Sequence, residues 1–331
     1  MMNYEKYAIA DIHLHLDGSL SPKAVIEVAK KEGINLPTFD EKELLNYLQA
    51  PENCESLNEL LKRFDLPNLV LQSKFGLNYC TLDLLKRLAD DGVKYAEIRM
   101  APQLSTSKGL SQEEVVKTLI ETLKEGEEKF GIKSNLIVCM MRGKDNYEEN
   151  KKTIELANKY RNEKVVAVDI AGAEALFSND MFIFEFALVK KYGLKLTIHA
   201  GEASGADSVA SAIEYGADRI GHGIHAVSDK KLCKRLEKLG ICLEICPKSN
   251  LDTKAIKSYD ELPIREFMKH GIKVSINSDD MTVCNTSVKK EYETLSKLGF
   301  NENELREFAL NTIEASFADN DTKEYLKKFL Q

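Results

Sequence analysis

The stretch DIHLHLDG, residues 11–18, places His13 and His15 two positions apart and follows them with Asp17. In an extended strand alternate side chains share a face, so both imidazoles point one way while Ile12, Leu14 and Leu16 point the other. Two imidazoles facing one buried point are costly without partners, and histidine is the commonest side-chain metal ligand. A His-x-His pair alone is weak evidence for a metal. His199 in HAGE and the acidic pair Asp279 and Asp280 in NSDD extend it to a site of three histidines and an acid. Such nitrogen and oxygen donors suit a catalytic zinc with one position left for water, whose pKa the metal lowers from about 15.7 to roughly 7. The expected chemistry is hydrolysis at neutral pH.

These donors are far apart in sequence, so a repeating fold must gather them. Eight short apolar, β-branched runs alternate with stretches of helical period: 7–15, 94–100, 135–141, 164–170, 194–200, 218–223, 241–246 and 272–277. Several follow a helix that ends in glycine, as in KKYGLKLTI and KLGICLEI. No G-x-G-x-x-G follows the first run, and eight such units in 331 residues predict an α/β fold, a (β/α)8 TIM barrel, rather than an open doubly wound sheet. One domain over residues 1–331 is expected, with additional helices between the first and second strands and at the C-terminus. The unusual polar residues fall at or just past strand C-terminal ends: His13, His15 and Asp17; Arg99; Arg142; Gly172; His199 and Glu202; His222; Ser249 and Asn250; Asp279 and Asp280. That face of a barrel is where active sites are built.

Composition excludes several partners. The formal charge is −7 and no Lys/Arg cluster is interleaved with aromatics, so nucleic acid is not expected. No apolar run approaches the roughly 18 residues of a membrane span, and the N-terminal residues carry no basic-then-apolar export pattern. Seven cysteines without a Cys-x-x-Cys pair argue against a disulfide framework or a thiolate zinc site. A cytoplasmic, soluble protein, monomeric or weakly oligomeric, is the expectation.

The motifs HLHLDGS (13–19), EIRMAP (97–102), FGIK (130–133), CMMR (139–142), DIAGAE (169–174), HAGE (199–202), RIGHG (219–223), EICPKSN (244–250) and SINSDD (275–280) follow one another along nearly the whole chain. In order and spacing the sequence resembles the adenosine deaminase family of the amidohydrolase superfamily. The resemblance implies one zinc per chain held by His13, His15, His199 and Asp279, with no organic cofactor. It implies that hydroxide adds to C6 of a purine nucleoside, that ammonia leaves and that inosine forms, in purine salvage. Glu202 then protonates N1, His222 orients the attacking water, Asp280 meets N7, the Gly172 backbone N–H meets N3, and His15 also faces the substrate. Asp17 stands where the family associates an aspartate with the ribose 5′-hydroxyl, which favours adenosine and 2′-deoxyadenosine over adenine.

In SLNELLKRF, residues 56–64, Ser56 and Glu59 form a capping-box pattern, and Leu57, Leu60, Leu61 and Phe64 recur at helical spacing. That apolar face suits core packing, and the resemblance implies that Leu57, Leu60 and Phe64 cover the substrate pocket. Met281, Ser278 and Ala173 depart from common family residues and leave room for another amino-purine, such as a 5′-modified adenosine like methylthioadenosine. Arg99 and Arg142 read as ion-pair partners at the barrel end, His225 as a loop residue, and His270 as a cation at a helix C-terminus. Two other readings are weaker. A two-metal hydrolase on the same barrel lacks a bridging lysine within strand four, where only Lys164 stands at the start, and a zinc-stabilised binding protein has no use for Glu202, His222 and Asp280.

Overall fold

The computed structural model describes residues 4–51 and 54–331, so the first three residues of the expected domain, with Glu52 and Asn53, lie outside it. All eight expected strands form: β1 (Ala10–His15), β2 (Tyr95–Met100), β3 (Lys133–Met141), β4 (Val165–Ala171), β5 (Thr197–Ala200), β6 (Arg219–His222), β7 (Cys242–Ile245) and β8 (Val274–Ile276). Every pairing between them is parallel, which requires the helical crossovers seen between successive strands. The result is the (β/α)8 barrel, with helices outside.

Hydrogen bonding divides the barrel into two four-stranded sheets, β1 to β4 and β5 to β8. Two narrow seams join them. Between β4 and β5 the bridge is Val168 with Leu196, and between β1 and β8 it is Leu14 with Asp279. At the second seam His15 N–H donates to the Asp279 carbonyl and Asp279 N–H to the His13 carbonyl, both at 2.8 Å. The Asn277 side chain accepts from Ile12 N–H at 3.1 Å, so a side chain takes over part of the ladder there.

The alternation read in β1 holds: Ile12, Leu14 and Leu16 are fully buried in the large core cluster, with Ile98, Val168, Ile198, Ile220 and Leu243 from other strands. The barrel interior is instead polar, with Asp11, His13, Glu97, Arg99, Asp169, Arg219 and Glu244 all buried. The extra helices between β1 and β2 span Pro22–Glu32, Glu41–Leu48, Leu57–Leu60, Asp65–Val70 and Lys74–Asp90, and the last β-strand is followed by Val288–Lys297, Glu302–Ala315 and Asn320–Lys327.

One local expectation changes. Ser56 caps the helix at Leu57–Leu60 by accepting from Glu59 N–H, but Glu59 accepts from Glu55 N–H at 2.8 Å, one residue before the cap, so the box does not close. The chain then passes through a 3-10 turn, Leu61–Phe64. No helix among the described residues is long and apolar enough to cross a membrane.

Candidate active site

At the C-terminal end of the barrel the imidazoles converge. His13 Nε2 lies 3.1 Å and His15 Nε2 3.2 Å from His199 Nε2. Asp279 Oδ1 lies 3.3 Å from His13 Nε2 and 3.4 Å from His15 Nε2. Among the described residues, donor atoms of His13, His199, His222 and Asp279 all fall within 4.8 Å of one another, so His222 stands as close to the cluster as the ligands expected from sequence.

What fixes these rings lies beneath them. His13 Nδ1 meets Glu244 Oε2 at 2.7 Å, and His199 Nδ1 meets Asp169 at 3.0 Å. Burial alone would raise the Glu244 carboxyl, but the guanidinium groups of Arg219 and Arg99 outweigh it and hold that carboxyl well below its ordinary range. Asp169 is lowered likewise, against burial, by His199 and Arg99. Both carboxylates therefore accept and both Nδ1 atoms donate, which turns the two Nε2 atoms toward each other at contact distance. A cation between them would take both Nε2 atoms as ligands. The donor set, nitrogen and carboxylate without thiolate, fits zinc.

Backbone geometry contributes as well. His222 and Asp279 both have φ of 60°, a left-handed conformation uncommon outside glycine, and each turns its side chain inward as its strand ends. Gly221 permits this convergence, because a Cβ there would stand 3.0 Å from His13 Cε1 and 3.1 Å from His199 Cα. Gly18 is equally constrained: its Cβ would fall 1.7 Å from Asp280 Oδ1.

His222 Nδ1 accepts from Asn250 Nδ2 at 3.0 Å, and burial pushes the ring well below its ordinary pKa, so it is neutral. Its Nε2–H then faces Glu202 Oε2 at 3.5 Å and Asp279 Oδ2 at 3.7 Å. Burial, then the Asp279 and Glu174 carboxylates, push Glu202 up to about 8. Burial and the neighbouring Asp279 and Asp17 charges also raise Asp280 well above its ordinary value.

A cavity of about 310 Å³ opens over this cluster, within the range of small-molecule sites. His15, Asp17, Leu57, Leu60, Phe64, Gly172, His199, Glu202, His222, Asp279 and Asp280 all line it, whereas His13 lies below. The Oδ1 atoms of Asp17 and Asp280 are buried without a hydrogen-bond partner. Buried polar atoms are rarely left unmet, so both are placed to meet polar groups of a ligand, Asp17 by accepting and Asp280, whose carboxyl holds a proton, by donating.

Three residues that hold the site were not assigned from sequence. Glu244 and Asp169 orient the histidines, and one buried guanidinium, Arg99, bridges them at 2.9 and 3.0 Å. Arg99 thus lies at the base of the site rather than at the barrel end. Glu174 accepts from the backbone N–H groups of Gly201, Glu202, Ala203 and Ser204, fixing the loop that carries Glu202. Their signal lay in DIAGAE and EICPKSN, whose acids fall on inward positions. Arg142 lines the cavity but bonds the carbonyls of Phe177 and His199 and the Asn179 side chain rather than a carboxylate. His225 bonds the Gly201 carbonyl from within a 3-10 turn, Ile224–Ser228, rather than from an irregular loop, and His270 caps the end of the helix Ile264–Lys269 as expected.

The sequence pattern of the family described as adenosine deaminase matches residues 9–331. The chain belongs to the adenosine deaminase family. It is 42% identical over 336 residues to the adenosine deaminase of Haemophilus ducreyi, covering all of this chain and 98% of that one. Among solved structures, the adenine deaminase of Arthrobacter aurescens is 29% identical, with a TM-score of 0.87 and 97% of each chain covered. The arabidopsis ADAL complexed with IMP is 25% identical, with a TM-score of 0.86 and 99% and 98% of the two chains covered. As a deaminase-family barrel, the chain keeps its polar residues at the strand ends where this cavity opens.

Proposed function

We propose that this protein is a zinc-dependent adenosine deaminase that hydrolyses adenosine and 2′-deoxyadenosine to inosine and deoxyinosine with release of ammonia, as a single-domain enzyme of cytoplasmic purine salvage. The observation that carries the reading is the convergence of His13, His15, His199 and Asp279 beside Glu202 and His222 in one buried cavity. His13, His15, His199 and Asp279 would hold the zinc. When bound, the metal supplies Lewis-acid activation, lowering the pKa of water from about 15.7 to roughly 7.

The chain's own groups do the rest. Glu202, carrying a proton below about pH 8, gives it to purine N1 as water attacks C6, which makes the ring a better electron acceptor. Neutral His222, held by Asn250, orients the attacking water through its Nε2 side. The protonated Asp280 donates to N7, and the Gly172 N–H meets N3. Asp17 takes the 5′-hydroxyl on its unpartnered oxygen.

The lining also favours a nucleoside over a nucleotide. It holds the acids Asp17, Asp65, Glu202, Asp279 and Asp280, while its one arginine is committed to carbonyls and an amide. A 5′-phosphate would meet acids with no free cation to pair it.

The test is the ultraviolet spectrum of zinc-loaded protein mixed separately with adenosine, 2′-deoxyadenosine, adenine and AMP. Rapid conversion of the first two to the oxo-purine, with little change in the others, is expected. Inertness toward both nucleosides overturns the reading.

A further inference from the structure

The opposite face of the barrel holds a second cavity, about 340 Å³, between the N-terminal ends of β5 to β8 and the chain at residues 314–323. Its charged lining is Lys195, Arg219, Lys273 and Lys323 against Asp218 and Glu314. The two acids are already engaged. Asp218 pairs with Lys195 at 2.7 Å, and Glu314 pairs at 2.6 Å with Lys327, which lies outside the cavity. Arg219 is likewise satisfied within the protein, by Glu97 and Glu244, with its guanidinium 3.9 Å from the Phe317 ring centroid.

Two ammonium groups are left over. Lys323 Nζ donates to the Glu314 carbonyl at 2.7 Å and has no carboxylate partner among the described residues. Burial lowers its pKa, and the nearby Glu314 and Glu97 carboxylates offset this only in part. Lys273 is exposed at the cavity wall and has neither an ion pair nor a side-chain hydrogen bond among the described residues. In a protein whose net charge is −7, a concave polar pocket lined by four cations and two acids, with Lys273 and Lys323 near Glu314 but in ion-pair contact with no carboxylate among the described residues, is a local reversal of sign. Such a reversal attracts a small multivalent anion, and lysine pairs with phosphate as a point charge without a fixed fork geometry.

We propose that this cavity binds a phosphate-class oxyanion between Lys273 and Lys323. The site lies at the starts of the strands, whereas the zinc donors lie at their ends, so it is separate from the deaminase chemistry and independent of that assignment.

The experiment titrates inorganic phosphate into zinc-loaded protein at constant ionic strength, reading heat by calorimetry and line broadening by ³¹P resonance, with ribose 5-phosphate in a parallel arm. Saturable binding is expected, weakened at least tenfold in the Lys273→Met/Lys323→Met variant while adenosine turnover is unchanged. Tighter binding of the ester identifies a phosphorylated metabolite as the source, and tighter binding of the free ion identifies inorganic phosphate. Phosphate that reaches the zinc instead would bind wild type and variant alike. Equal binding in the two, or stabilisation that rises without saturation as general salt exclusion does, overturns the proposal. Should the double variant fail to fold, Lys273→Glu at the exposed position must weaken phosphate by the same order.

Discussion

Replacing Glu202 by glutamine keeps its size and its contacts with the loop fixed by Glu174 but removes its proton. General acid catalysis contributes typically 10²–10⁴-fold, so kcat should fall by about that range while zinc content and the circular dichroism spectrum stay at wild-type values. Turnover near wild type would remove Glu202 from its role. A second buried acid, Glu291, lies outside the histidine cluster and accepts from Thr286 and the Lys248 backbone. Burial pushes it to about 8 from 4.5. The folded protein therefore keeps a proton that the unfolded chain loses between these values, so stability is fullest below about pH 4.5 at this group and is lost as pH rises through about 8. The Glu291→Gln variant should lack that loss, on the order of 4 kcal/mol, and its Tm should exceed that of wild type more at pH 8.5 than at pH 6. At this scale the sequence was legible where strand alternation decided direction, as for His13 and His15. It was silent on Glu244 and Asp169, because which nitrogen each carboxylate meets depends on the curvature of strands far away in the chain.

The eight strands were legible because β-branched runs flanked by turn residues need no tertiary information. Their ends were not. β6 stops at His222 because that residue turns left-handed, and just past β8 Asn277 keeps its N–H on the Ile245 carbonyl while its side chain, not its backbone, accepts from Ile12 on the β1 side. The segment 56–64 shows the same limit, since its apolar spacing is real but its helix yields to a 3-10 turn at Leu61. Its Leu60, 1% exposed, packs with Cys54, Val283 and Cys284, just beyond Asp279 and Asp280. The cover of the pocket is thus anchored to the loop that presents the acids. Leu60→Ala should cost about 2–5 kcal/mol in denaturant unfolding. In steady-state kinetics it should raise KM for adenosine about tenfold with a smaller change in kcat, as expected when a wall of the binding site is lost. An unchanged KM would confine Leu60 to packing.

The molecule as a whole is two half-barrels joined at narrow seams, and the proposed zinc ligands straddle them: His13 and His15 on one half, His199 and Asp279 on the other. The supporting pairs cross as well, His199 with Asp169 between β5 and β4, and Arg99 with Glu244 between β2 and β7. A metal held there ties the halves together. At a thousandfold excess over its dissociation constant it adds about 4 kcal/mol to folding stability, so chelation should lower Tm measurably. Hydrogen exchange should then quicken first at the amides of His15, Val168 and Asp279, the seam positions, before the interior of either sheet. Uniform quickening across both sheets would mean that the halves are not the units that open.

The seam between β1 and β8 also orders events during synthesis. His13 and His15 leave the ribosome with the first strand, yet their carboxylate partner, Asp279, lies just past the last. For most of translation the nascent chain carries imidazoles but not the full coordination set, and the barrel cannot close around a metal until its final strand has emerged. A centre that needs all four proposed ligands is complete only once the chain just past β8 has emerged, and a chain that stops before β8 has neither a closed ring nor that full set.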